Sequence, residues 1–288
     1  MRKLIYVSNS QARDRYSQKY DVSVIFTDAP NNEFIKGGKY FTHAEFECYI
    51  KKHRPRRISF VFEMQDELEC VIDLVSEFVV SLHLLSKHNK AFDLSPLEGC
   101  TELEAIQLYW NIKQKTLWDI SQNKKLKNFE ITNYYNVSDL AVLGKSSVEI
   151  LRIFGCDGGS FVSKMHIADF SFVAEMPRLK ELHFDIIKDE PGEYYLNILS
   201  KCTGLERLYT TRNFFTFQQF AWLQSRLPNV KHGLECVLDG GGFQSVIGKK
   251  TPKYLQDPIK AAEYQRRYDS LIEKYKTRDN PPSDSEKD

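Results

Sequence analysis

The sequence predicts an α/β repeat array closed by a non-repeat cover at each end, and three observations predict it. First, an L-x-x-L-x-L core recurs as Leu103-Ile106-Leu108, Leu126-Phe129-Ile131, Val148-Leu151-Ile153, Leu179-Leu182-Phe184 and Leu205-Leu208, where Thr210 takes the last place. Second, the starts lie 23, 22, 31 and 26 residues apart, with Val79-Leu82-Leu84 fitting 24 residues upstream and a weaker candidate at Val230. Third, apolar residues outside the core keep the same register: Cys100, Met176, Cys202 and Leu227 stand three before a start, and Leu97, Ile120, Val142, Val173 and Leu199 six before. That is one apolar side of a segment returning between strands.

Residues 1–56 lack the core and read as an N-terminal cap of mixed α/β character. Leu4–Val7 and Val22–Phe26 have strand character, and an Asn-rich turn follows. Thr42-His43-Ala44-Glu45 is a capping box, in which hydroxyl and carboxylate each satisfy a backbone donor of the first turn. Phe46 and Ile50 then share one helix face, Arg54-Pro55 ends the helix, and Ile58–Phe62 begins the array. The same box at Thr101–Glu104 precedes an expected strand and carries no helix.

The array occupies residues 57–238, with loops expected at Gly155–Gly159 and Lys188–Gly192, where Gly and Pro interrupt polar sequence. A C-terminal cap follows over 239–277: Gly240-Gly241-Gly242, a basic segment, and a helix from Asp257 with Pro258 in its first turn. Ile259, Ala262, Leu271, Ile272 and Tyr275 are its expected apolar positions. Residues 278–288 are polar and Pro-bearing and read as a flexible tail.

The repeat core, its spacing and a partial Asn/Cys column at Asn111, Cys156 and Asn213 resemble the leucine-rich repeat family, whose consensus is L-x-x-L-x-L-x-x-N/C-x-L. The resemblance covers about two-thirds of the chain and is irregular, since Tyr134 and Ile187 break that column. It implies an α/β leucine-rich repeat solenoid, curved, with a parallel sheet on its concave side and stability that comes from stacking repeats. It also implies a buried amide or thiol at the Asn/Cys position that satisfies backbone groups of the turn.

With 288 residues, 42% of them hydrophobic, the chain is globular, and 40 Lys+Arg against 39 Asp+Glu give a net charge of +1, too weak a field to imply a polyanion partner. The first apolar run, Leu4–Val7, is too short for a signal peptide, and no stretch approaches the ~18 apolar residues of a membrane span. A cytoplasmic protein with no membrane partner is expected. Its six cysteines include no C-x-x-C pair and are read as reduced, packed thiols. Asn136-Val137-Ser138 is a sequon that such a protein leaves unmodified.

No catalytic motif emerges. Gly248-Lys249-Lys250 lacks the upstream Gly and the magnesium-ligating hydroxyl of a phosphate loop. The seven histidines form no H-E-x-x-H and share no metal-ligand spacing with cysteine, and G-x-S-x-G is absent. No enzyme, cofactor or metal is therefore expected. The basic run Lys51–Arg57 reads as a solvated helix end whose cations complement the dipole. Two rival functions stay open: an activity in the N-terminal 56 residues, or nucleic-acid binding through that run and the basic C-terminal segment.

In an L-x-x-L-x-L strand, the side-chain period of two sends the intervening residues to the opposite face. One column is His83, Gln107, Glu130, Arg152, His183 and Tyr209; beside it run Leu85, Tyr109, Thr132, Phe154, Asp185 and Thr211, and on the other side Ser81, Ala105, Asn128, Ile150, Glu181 and Arg207. Aromatic residues and Arg dominate binding hot spots. Tyr109, Glu130, Arg152, Phe154, His183, Asp185, Arg207 and Tyr209 are accordingly the expected partner-binding residues on the concave face, with Trp110 beside them and Phe154 and Ile150 exposed around Arg152. The expected function is non-catalytic capture of a protein or peptide by a monomer, with an inhibitor or immunity protein as a narrower reading by family analogy. Replacing Arg152 and Phe154 together by Ala is expected to remove capture and spare the fold.

Overall fold

The computed structural model describes residues 4–9, 20–27, 38–86, 91–109, 116–132, 137–154, 165–240, 243–249, 254–255 and 257–286. Its centre is one open ten-stranded sheet. The strands are β1 (Leu4–Asn9), β2 (Val22–Thr27), β3 (Lys39–Phe41), β4 (Arg57–Phe62), β5 (Ser81–Ser86), β6 (Ala105–Tyr109), β7 (Asn128–Thr132), β8 (Ile150–Phe154), β9 (Glu181–Phe184) and β10 (Arg207–Thr210), in the order β10-β9-β8-β7-β6-β5-β4-β2-β1-β3. Strands β4 to β10 are parallel with one another and β2 is parallel with β4; β1 pairs antiparallel with both β2 and β3. Helices and 3-10 turns carry the chain back between strands, an arrangement compatible with an α/β solenoid.

The periodicity explains the stacking. Leu82 and Leu84, Ile106 and Leu108, Phe129 and Ile131, Leu151 and Ile153, Leu182 and Phe184, and Leu208 all point inward and are buried. The residue at each start, Val79, Leu103, Leu126, Val148, Leu179 and Leu205, is buried with them. Just ahead of each strand one carbonyl accepts from two successive amides of the next turn: Glu104 and Ala105 donate to Val80, Glu206 and Arg207 to Lys180. The weak repeat at Val230 survives as a single parallel bridge, Arg207 to His232.

Asn123, three residues before a start and only 1% exposed, does what the Asn/Cys column was expected to do. Its amide donates to the Leu97 and Cys100 carbonyls (2.9 and 3.0 Å) and its oxygen accepts from the Trp118 indole (2.7 Å), joining two successive turns. Asn213, expected to be that buried amide, is exposed, and Asn111 and Cys156 lie outside the described residues, as do Trp110, Tyr134 and the loop at 155–159. Cys100 is fully buried and Cys202 partly so, and burial pushes both thiols up to about 12.

The N-terminal region extends the same sheet. β2 lies on β4 in parallel register, so Val22, Val24 and Phe26 continue the core, and β1 and β3 occupy what would be a bare edge. Helix α1 (His43–His53) starts at the capping box, with Glu45 Oε2 accepting from the Thr42 amide at 2.8 Å, and it buries Phe46 and Ile50. Arg54 closes it at φ 43°, with its guanidinium 4.5 Å over Phe78. Helix α2 (Gln65–Val75) shows the i, i+3, i+4, i+7 stripe of Leu68, Val71, Ile72 and Val75, all buried.

Past the short helix α3 (Phe172–Glu175) come α4 (Gly192–Leu199) and α5 (Phe217–Arg226), then a three-stranded sheet of β11 (Val237–Gly240), β12 (Phe243–Val246) and β13 (Tyr254–Leu255), and helix α6 (Pro258–Tyr275). α6 faces inward through Tyr268 and Tyr275, with Tyr268 donating to the Leu234 carbonyl at 2.9 Å. Ile259 and Ala262 were expected on that face but point outward, Ile259 being 69% exposed, because the heavy contacts sit at Tyr264 and Tyr268 against Phe217. The chain beyond α6 also differs from the flexible tail expected of it. Arg278–Glu286 lies along α5, with Pro281 and Pro282 buried. No helix among the described residues is long and apolar enough to cross a membrane.

Candidate functional site

The face of the sheet opposite the leucine core carries the columns that the period of two assigns to it. Strand register sets His83 opposite Gln107, Gln107 opposite Glu130, Glu130 opposite Arg152, Arg152 opposite His183 and His183 opposite Tyr209. Ser81, Ala105, Asn128, Ile150, Glu181 and Arg207 form the adjacent rank, and Leu85, Tyr109, Thr132 and Phe154 the other. Asp185 follows β9, its amide donating to the Ile153 carbonyl at 2.9 Å.

Exposure along this face is uneven. Glu130, Arg152 and Glu181 are 6, 8 and 6% exposed, and Thr132 is fully buried. Phe154 and Ile150, expected to be exposed, are half-buried, and the Phe154 ring lies 6.2 Å from that of His183. Tyr109, His183 and Asp185 are half-buried as well. Exposure rises at β10, where Tyr209 is 36% exposed and half of the Arg207 side chain meets solvent.

The buried part is held by charge. Arg152 pairs with Glu181 Oε1, Arg207 donates to Glu181 Oε2 at 2.9 Å, and His183 Nε2 lies 2.9 Å from Glu181 Oε1. Burial opposes the Glu181 charge, but the Arg207 hydrogen bond and the Arg152 and His183 charges outweigh it and hold the carboxyl below its ordinary value. Burial, reinforced by the Glu181 carboxylate, raises the Tyr209 phenol. Further along, Gln107 donates to Glu130 at 2.8 Å, and Thr132 donates to the same carboxylate at 3.4 Å. Arg152 is therefore a structural partner of Glu181, and its joint replacement with Phe154 would unsettle the fold that the test was meant to spare.

Two residues join the face that the repeat pattern did not include. Tyr20 stacks on His83 with ring centroids 5.5 Å apart and reaches Gln107 at 3.4 Å, and Ser59 Oγ lies 3.1 Å from His83 Nδ1. Ser59 was legible, since it alternates with Ile58 and Phe60 and pairs in register with His83. Tyr20 precedes β2 and has no periodic signal; only the packing of the N-terminal strands on β4 brings it there. The result is a pair of aromatic–histidine clusters, Tyr20-His83-Tyr109 and Phe154-His183-Tyr209, the second sharing its three strands with the Arg152–Glu181–Arg207 network.

Elsewhere, Lys51, Lys52, His53, Arg54 and Arg56 of the basic run are exposed, while the Arg56 and Arg57 amides donate to Asp21 at 2.8 and 3.0 Å. Cys48 is an exposed thiol in the groove between α1 and β3. Among the described residues, no three His, Cys, Asp or Glu side chains converge as a metal site would require. The chain matches no protein-family model and no curated protein sequence.

Proposed function

We propose that this protein is a leucine-rich repeat solenoid without catalysis of its own, which captures a protein or peptide partner on the concave face of its sheet. The supporting observation is the gradient of exposure across one registered face. Arg152 and Glu181 are buried and ion-paired and Glu130 is buried and hydrogen-bonded to Gln107, whereas Arg207 and Tyr209 are offered to solvent beside His183. Arg and Tyr on a pre-ordered scaffold lose little freedom on binding, which is what a recognition hot spot needs. The protein acts as a cytoplasmic monomer, and an inhibitor or immunity role is the narrower form of the same proposal.

Affinity purification from the source lysate, with wild type beside the double variant Arg207→Ala/Tyr209→Ala, tests it. A protein retained by the wild type and lost from the double variant, at an unchanged melting temperature, is the expected result. Equal retention by both would move the binding surface off this edge.

A further inference from the structure

The C-terminal segment of the chain packs on a surface away from the sheet face. The groove between the first turn of α4 and the side of α5 receives the chain's own C-terminal segment. Trp222 Nε1 donates to the Arg278 carbonyl at 3.0 Å, and Arg226 donates to the same oxygen. Gln219 Nε2, on a side chain with no exposed surface, donates to the Pro282 carbonyl and to Asp284 Oδ1, both at 2.9 Å. Asp284 also accepts from the Gly192 amide at 3.3 Å and pairs with Lys188 at 3.2 Å, while its own amide donates to Glu193 at 3.3 Å. Beyond it, Glu286 returns to the Arg278 guanidinium at 2.7 and 2.9 Å, and that guanidinium lies 5.5 Å from the Tyr275 ring.

The groove has recognisable parts. Pro281 and Pro282 supply buried apolar contact at low conformational cost, since their φ is already fixed. The Asp284 carboxylate meets the amide end of α4 and a lysine, which is where an anion is stabilised. Gly192 keeps the place open: a Cβ there would lie 2.5 Å from Asp284 Oδ1 and 2.7 Å from Gln219 Nε2. Gln219 is held by Thr216 in the α5 capping box through its backbone amide and its Oε1, so a Cβ at position 192 would displace the carboxylate and crowd the Gln219 side chain as well.

We propose that the α4–α5 groove is a recognition site for a Pro-Pro-Ser-Asp peptide, occupied in cis by residues 281–284 of the same chain. The segment is a ligand on a tether rather than a part of the core. Its high local concentration keeps the site filled, and the same peptide added in trans competes for it once the tethered copy is weakened.

The test uses the full chain in two variants. Gly192→Ala fills the groove, and Asp284→Lys weakens the ligand and leaves the groove intact; Asn197→Ala, on the exposed side of α4, is the control. Hydrogen exchange of the 278–286 amides reports docking, the tryptophan emission, shared by Trp110, Trp118 and Trp222, follows exposure of the Trp222 indole against that constant background, and exchange within α6 reports the fold. Both variants are expected to raise tail exchange by at least about tenfold and red-shift the emission, with α6 unchanged and the control like wild type. A synthetic peptide of residues 277–288 is expected to bind Asp284→Lys and reverse the shift, and to leave Gly192→Ala unaffected. Unchanged tail protection in both variants would overturn the assignment. So would failure of the peptide to bind the Asp284→Lys protein once its tail is free. A wild type found as a dimer with exchanged tails would overturn occupancy in cis.

Discussion

The middle and the end of the polar sheet face have the same residue chemistry and opposite environments. At β7 to β9, Glu130, Arg152 and Glu181 are closed off from water, Arg152 and Glu181 answering each other's charge and Glu130 accepting from Gln107 and Thr132. At β10, Arg207 reaches the same Glu181 from the solvent side, and Tyr209 lies 4.2 Å from the His183 ring with a third of its surface free. Position in the repeat assigns a side chain to a face, but neighbours decide whether it is available. A charge in the middle is closed into the structure, and the charge at the end keeps its pair with Glu181 while half of its side chain meets solvent.

This contrast breaks most easily at its centre. Arg152→Ala leaves the Glu181 carboxylate buried with only a half-exposed arginine and a histidine to answer it, and a loss of about 3–5 kcal/mol of unfolding free energy is expected in a denaturant titration. Asn123→Ala removes an amide that serves two carbonyls and an indole between turns, and about 2–4 kcal/mol is expected from the same titration. Arg207→Ala, by contrast, removes an arginine whose side chain is half in solvent, and the midpoint of the same titration should barely move.

A pH titration sharpens the comparison. Glu181 is held below its ordinary value in the folded state, so its contribution is present above the unfolded value near 4.5 and is lost as pH falls through the lower folded value. Wild type should therefore lose more stability than Glu181→Gln on going from pH 5 to pH 3, and parallel curves would mean that the network carries no net charge stabilisation.

Much of this architecture is legible from the chain. The L-x-x-L-x-L positions and the residues six before each start follow from periodicity alone, because stacking buries the same side of every repeat; Val142, half-buried, is the loosest of them. The capping box at Thr42 is legible for a local reason, since all its partners lie within four residues. What escaped depends on contacts far apart in sequence. Tyr20 reaches His83 through the pairing of β2 with β4, and Pro281 and Pro282 are buried by a helix some sixty residues upstream. A polar composition predicts a free tail only when nothing in the fold offers it a groove. The Asn/Cys column failed at Asn213 for a related reason: this turn is followed at once by α5, and the amide that joins turns is Asn123.

The most direct test of the recognition edge is partner retention by Arg207→Ala/Tyr209→Ala, measured beside its melting temperature. Loss of the retained partner with melting within a few degrees of wild type is the result expected if β10 is where binding occurs. Full retention by a stable double variant would contradict it.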